Sequence, residues 1–207
     1  PVALLVPEDS AVTPPAALAG LTIGVPGEFG ATYLGLLTLL DGAGLSPADV
    51  TIQTIGYTQT TALLTGEVDA VMGYVNGEAV RLAAADLPVR ALEPGALVSV
   101  GVALPDTTTL TPAQQAAFVT ATLRGVEATI ADPEAAVELA ADFIPGMTSQ
   151  ARTDALAVLE ATVPLLSVTG RTDEAEWDAM AQAMLVAGMI TEIPPNGFSN
   201  AAVDAQS

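Results

Sequence analysis

The chain has 207 residues, 51% of them hydrophobic, and sets 24 acidic residues against five basic ones, a net charge of −19 at pH 7. The five basic residues are all Arg, and there is no His, Cys or Lys. This excludes a Ser-His-Asp triad, a thiolate nucleophile, an imidazole or thiolate metal site and a lysine Schiff base. The negative charge disfavours nucleic acid and anionic membrane surfaces as partners, and the missing residue types leave only carboxylates for acid–base work or for a hard cation.

The chain opens on Pro1-Val2-Ala3-Leu4-Leu5-Val6-Pro7, which reads as a strand already in progress. Leu21 to Val25 is a short buried strand, followed by the turn-rich loop Pro26-Gly27-Glu28-Phe29-Gly30. A helix is expected from Ala31 to about Asp41, with Leu34, Leu37 and Leu40 on one side and Gly42 and Gly44 as its stop. Ser46-Pro47-Ala48-Asp49 turns the chain into a strand from Val50 to Ile55. Thr58 to Thr65 is a short helix, Asp69 to Gly73 a third strand, and another helix begins near Glu78. Further strands are expected at Val89–Leu92 and Leu97–Leu104. Strand–helix alternation of this kind points to a mainly parallel sheet with right-handed crossovers.

From residue 105 onward the pattern is helical. Thr111-Pro112-Ala113-Gln114 is a capping box with Pro at the first helical position. That helix runs to about Ala131, and Asp132-Pro133 restarts the chain as a second one. A third covers about Ser149 to Ala161. The last spans about Asp173 to Ala187, with Trp177, Met180, Ala181 and Met184 forming a stripe at helical spacing that reads as core. Ile193 to Gly197 reads as loop. No run of 18 or more apolar residues exists, and no Ca²⁺-loop motif or internal repeat is present.

In an open parallel sheet, ligands bind outside the carboxyl ends of the strands. Three such ends carry an unusual share of the chain's few aromatic residues. The first offers Glu28, Phe29, Gly30 and Thr32; the second Tyr57 and Gln59; the third Tyr74, Asn76 and Glu78. Rings that stack and amides or carboxylates that hydrogen-bond suit a small, planar, polar ligand. Each residue also has a plain structural reading: Asn76-Gly77 is a turn signal, and Glu78 favours the positive end of a helix. The glycines at 24, 27 and 30 match neither the dinucleotide fingerprint nor a Walker loop.

Three stretches carry a family resemblance: LAGLTIGVPGEFGATYLGLLTLLDGAGL, VDAVMGYVNGEAV and DPEAAVELAADFIPG. The sequence resembles the solute-binding proteins of ABC importers, in the branch related to thiamine-pyrimidine-precursor binding proteins and the fungal pyrimidine synthase. The likeness runs from Leu18 to about Ile190 and is most specific in the strand-three pattern. It implies an α/β, periplasmic-binding-protein-like (type II) lobe with a mainly parallel sheet, followed by a C-terminal helical segment. Residues 1–104 would form the lobe with its crossover strands, and residues 105–207 would pack on the first lobe. The N-terminal part of that first lobe, with its signal or lipoprotein anchor, would lie before Pro1.

The resemblance further implies an extracytoplasmic, non-catalytic binding protein that docks on ABC permease subunits, needs no cofactor, and meets the membrane only through that anchor. Its ligand would be a thiamine pyrimidine precursor or a similar heteroaromatic molecule, held by the nine loop residues. The fungal relatives use a His and a Lys that this chain lacks, so their activity is not expected here. No Arg or Lys lies in the three loops, which argues against sulfonate or nitrate. The competing readings are a carboxylate-dependent hydrolase working through Glu28 and Glu78, and a ligand-free sensory domain on the same fold.

Overall fold

A computed structural model of the chain describes residues 1–12, 16–95, 101–105 and 107–205. Two compact units are present: Pro1–Leu97 with Ala179–Glu192, and Val98–Asp178 with Ile193–Ser207.

The first unit is built on one five-stranded sheet. Its strands are β1 (Val2–Pro7), β2 (Thr22–Val25), β3 (Thr51–Thr54), β4 (Ala70–Tyr74) and β5 (Val89–Leu92), in the spatial order β3-β2-β4-β1-β5. β2 pairs in parallel with β3 and with β4, while β1 pairs antiparallel with both β4 and β5. Four strands therefore run one way, as the strand–helix alternation predicts. β1 runs against them from an inner position.

The opening apolar run explains that position. A strand rich in Val and Leu on both faces needs cover on both sides. Val2, Leu4 and Val6 face one core cluster, and Ala3 and Leu5 face the other, as the two-residue period of a strand requires. Helix α1 (Gly30–Gly42) covers the first face through Leu36 and Leu40. Helices α2 (Gln59–Leu64) and α3 (Glu78–Ala84) cover the second through Ala62, Leu63 and Leu82. The central residues Leu4, Leu5, Ile23, Val71 and Met72 are fully buried.

Two expectations need correction. The buried face of α1 is set by Leu34, Leu36 and Leu40, with Leu37 only half-buried. Gly35 shares that face because α1 lies very close to the sheet. A Cβ there would come within 2.9 Å of Val2 and 3.0 Å of Met72. The strand expected at Leu97–Leu104 lies partly outside the described residues, and residues 101–104 have no strand structure.

In the second unit the regular structure of the described residues is helical. Helix α4 (Pro112–Ala131) starts with the expected capping box: the Gln114 N–H donates to Thr111 Oγ1 (3.3 Å), and the Thr111 N–H donates to Gln114 Oε1 (2.9 Å). Asp132 caps α5 (Pro133–Ala141) by accepting from the Ala135 N–H at 2.9 Å. Thr148 caps α6 (Ser149–Thr162), and Asp173 accepts from two N–H groups at the start of α7 (Glu174–Val186), whose residues from Ala179 onward fall in the first unit. A short helix α8 (Ala201–Asp204), not anticipated from sequence, packs on α4. Trp177 pairs with Phe198, ring centroids 5.5 Å apart, and its indole lies over Gly197. Among the described residues no helix is long and apolar enough to cross a membrane.

Candidate functional site

The parallel strands β2, β3 and β4 bring their carboxyl ends to one edge of the sheet. The chain leaves β2 for α1 on one face, but leaves β3 and β4 for α2 and α3 on the other. The connections therefore diverge between β2 and β4, at the topological switch point where open α/β sheets form a ligand crevice. The start of β1 reaches the same edge, with Val2 opposite Tyr74 and the Val75 N–H donating to the Pro1 carbonyl at 2.9 Å.

The first loop presents Glu28 and Phe29 to solvent. Phe29 is 59% exposed, and its ring lies over Gly27 where a Cβ would otherwise sit. Gly30 opens α1 with a φ of +70°, a conformation few other residues adopt cheaply. Two residues later Thr32 is buried. In the second loop Tyr57 is 83% exposed. The Thr58 hydroxyl donates to the Ile55 carbonyl at 2.7 Å, and Gln59 then begins α2 with only 5% of its surface exposed.

The third loop is the most ordered by hydrogen bonds. Tyr74 ends β4, packs half-buried against the α1-side core, and accepts the Gly77 N–H on its carbonyl. Asn76 is half-buried in the turn. Glu78 folds back: its Oε2 accepts the Tyr74 N–H at 2.8 Å and its Oε1 pairs with Arg81 Nη1 at 3.3 Å. Gly73 makes room for this, since a Cβ there would sit 3.1 Å from the Glu78 side chain.

Glu78 is thus not a freely solvated carboxylate. Its side chain is 16% exposed, and both oxygens are engaged by the protein. The premise that no cation sits near the loops also changes, because Arg81, one turn into α3, reaches back to the loop. The three-residue spacing of Glu78 and Arg81 was the available sequence signal. The structure brings all nine anticipated residues to the same sheet edge, in different states: Glu28, Phe29, Gly30 and Tyr57 exposed, Tyr74, Asn76 and Glu78 partly buried, Thr32 and Gln59 buried.

Two further features lie apart from these loops. A cavity of about 260 Å³ in the same unit is lined by Leu18, Thr38, Leu39, Leu92, Glu93 and Pro94 among others, and includes none of the nine residues. Among the described residues no cluster of three or more acidic side chains is placed to hold a metal ion.

Comparisons with known proteins bear on this arrangement. The family model described as NMT1/THI5 like matches residues 1–136. The riboflavin-binding protein RibY of Chloroflexus aurantiacus is 32% identical over 185 residues, covering 84% of this chain and 53% of RibY. The chain therefore spans about half the length of that relative. Among solved structures, the periplasmic aliphatic sulphonate binding protein SsuA from Escherichia coli superposes with a TM-score of 0.58 at 18% identity, over 93% of this chain and 62% of that one. The alkanesulfonate-binding protein SsuA from Xanthomonas axonopodis pv. citri, bound to MOPS, gives a TM-score of 0.50 at 18% identity, over 94% of this chain and 66% of that one. At that identity the likeness establishes the fold, that of the periplasmic binding proteins.

Proposed function

The chain belongs to the NMT1/THI5 like family, and from that premise we propose that it is part of an extracytoplasmic solute-binding protein serving an ABC importer. The ligand is a small, polar, heteroaromatic molecule, of which a thiamine pyrimidine precursor and a flavin are two examples. One observation carries the reading. Two exposed rings, Phe29 and Tyr57, and two amides, Gln59 and Asn76, stand at the switch-point edge of the sheet. Exposed aromatic rings at such an edge are poor for folding and good for stacking on a flat ligand.

On this reading residues 1–104 form the binding lobe, and residues 105–207 pack against the other lobe of the whole protein. Its partners are the permease subunits, and the protein is not an enzyme. The engaged state of Glu78 supports the last point, because a two-carboxylate hydrolase needs both Glu28 and Glu78 available for proton transfer.

A ligand panel tests the proposal. The full-length protein is titrated calorimetrically with riboflavin, a 4-amino-2-methylpyrimidine, thiamine, taurine and nitrate, and product formation is followed in parallel. The expected outcome is binding of a heteroaromatic compound without turnover, with thermal stabilisation of about 2.7 kcal/mol at a ligand concentration 100 times Kd. Turnover would establish the hydrolase. Binding of taurine or nitrate alone would replace the ligand class, and no binding at all would leave the sensory-domain reading.

A further inference from the structure

Two polar side chains in the described structure are buried beyond nine-tenths: Thr32 at 6% exposure and Gln59 at 5%. Both lie at the carboxyl edge of the sheet, Thr32 in the first turn of α1 after β2 and Gln59 at the first position of α2 after β3. Neither side chain makes a hydrogen bond to another described residue, and neither is among the polar atoms sealed completely from solvent. Burying an amide or hydroxyl without a partner is unfavourable, and buried polar groups in folded proteins are paired as a rule. Here the polar ends are not sealed in: the chain leaves them unpaired but open at the one edge where a ligand is expected, while the rest of each residue is buried and held in place.

We infer that Gln59, with Thr32 in support, is the specificity-determining group of the site, reading a ligand edge that sets a hydrogen-bond donor beside an acceptor. The inference rests on the solute-binding reading above and narrows its ligand class. A primary amide offers one N–H₂ donor and one carbonyl acceptor side by side. Its complement is a ring edge with an adjacent N–H and C=O, as in a lactam or cyclic imide, or with an adjacent amine and ring nitrogen, as in an aminopyrimidine. The same two-point fit underlies amide recognition of adenine. A sulfonate or nitrate presents acceptors only and leaves the amide carbonyl unpaired, which is the more costly error in a buried place. Glu78, which sequence reasoning nominates for this task, already spends its oxygens on the Tyr74 N–H and Arg81. Its part is to hold the third loop in shape.

The test uses the full-length protein with riboflavin, whose ring carries an imide edge, and 3-methylriboflavin, in which that N–H is blocked. Binding is read by quenching of flavin fluorescence; a 4-amino-2-methylpyrimidine, read by calorimetry, is the second probe. Gln59→Leu is expected to weaken whichever of the two classes binds by roughly ten- to a hundredfold. It leaves the unfolding midpoint of the unliganded protein nearly unchanged, because the amide makes no hydrogen bond to another described residue and the apolar replacement is of similar size. Thr32→Val should weaken binding by a smaller factor.

If riboflavin binds, 3-methylriboflavin should bind as weakly to the native protein as riboflavin does to Gln59→Leu, and should be indifferent to that substitution. Unchanged affinity in Gln59→Leu would overturn this inference while leaving the solute-binding reading intact, with Gln59 solvated by water only. A Gln59→Leu protein that fails to fold would show the amide to be structural, and Gln59→Met then provides the same comparison. Failure of both heteroaromatic probes to bind the native protein would overturn the inference and the ligand class together.

Discussion

The two units are built on different physics. In the first, both faces of a sheet are covered, and Ala3, Leu4, Leu5, Val6, Ile23, Val25, Val71 and Met72 have no exposed surface. In the second, Val137 is the one buried hydrophobic residue among the described ones, whereas Leu139 is 63% and Phe143 78% exposed. Its helices are nevertheless well defined, because three of them begin on a side chain that accepts an orphan N–H: Thr111, Asp132 and Thr148. The contrast teaches that caps and helix-forming residues can fix where helices start without deciding what those helices bury. The sheet's residues have no such local guide, and their arrangement exists only through the packing of distant segments.

The comparison is broken most directly at the core. Leu36→Ala, fully buried beneath α1, is expected to lower stability by about 2–5 kcal/mol, whereas Leu139→Ala in α5 should change it by no more than about 0.5 kcal/mol. Urea midpoints of the two variants check this, and equal losses would show that the second unit has a core after all. The next effect belongs to Glu78. Removing its carboxylate leaves the half-buried Tyr74 N–H without an acceptor, so Glu78→Ala should cost about 1–3 kcal/mol, with Glu78→Gln recovering part of it. Amide exchange at Tyr74 is the local readout, and unchanged protection there would show that the bond is not formed in solution.

A smaller and more local loss is expected from Asp132→Ala, about 1 kcal/mol of helix stability. It should speed amide exchange at Ala135 while leaving β1 and β4 untouched, which sharpens the claim that the helical unit is locally determined. The smallest effect is one of pH. The Ser46 N–H, and after it the Ser46 hydroxyl, donates to Asp49 and holds its carboxyl below the usual 3.8. A folded-state value below the unfolded one means that the stabilisation is complete above the unfolded value and fades as pH falls through the folded one. The turn at residues 47–49 should therefore loosen only in strong acid. An NMR titration that finds Asp49 protonating at or above 3.8 would contradict the bond pattern.

By itself the sequence determined most of the elements and where they begin, though not the short helix α8. The apolar run from Val2, the alternation of short strands and helices, the capping box at Thr111, and the restart at Asp132-Pro133 are local signals, and each is present at its expected place. The gathering of Phe29, Tyr57 and Tyr74 at one edge also followed from the sequence, because parallel strands joined by helices must bring their carboxyl ends together. Tertiary structure alone decided the rest. The reversal of β1 between β4 and β5 depends on pairings across some 70 to 90 residues, which no local pattern encodes. The burial of Leu36, with Leu37 only half-buried, depends on which side of α1 is packed against the sheet. The different conditions of the site residues, with Glu78 bound to its own loop and the Gln59 amide left unpaired by the chain, come from which neighbours the fold supplies. A side chain's type fixes which bonds it can make, and only the packed chain decides which of them remain to be made with a ligand.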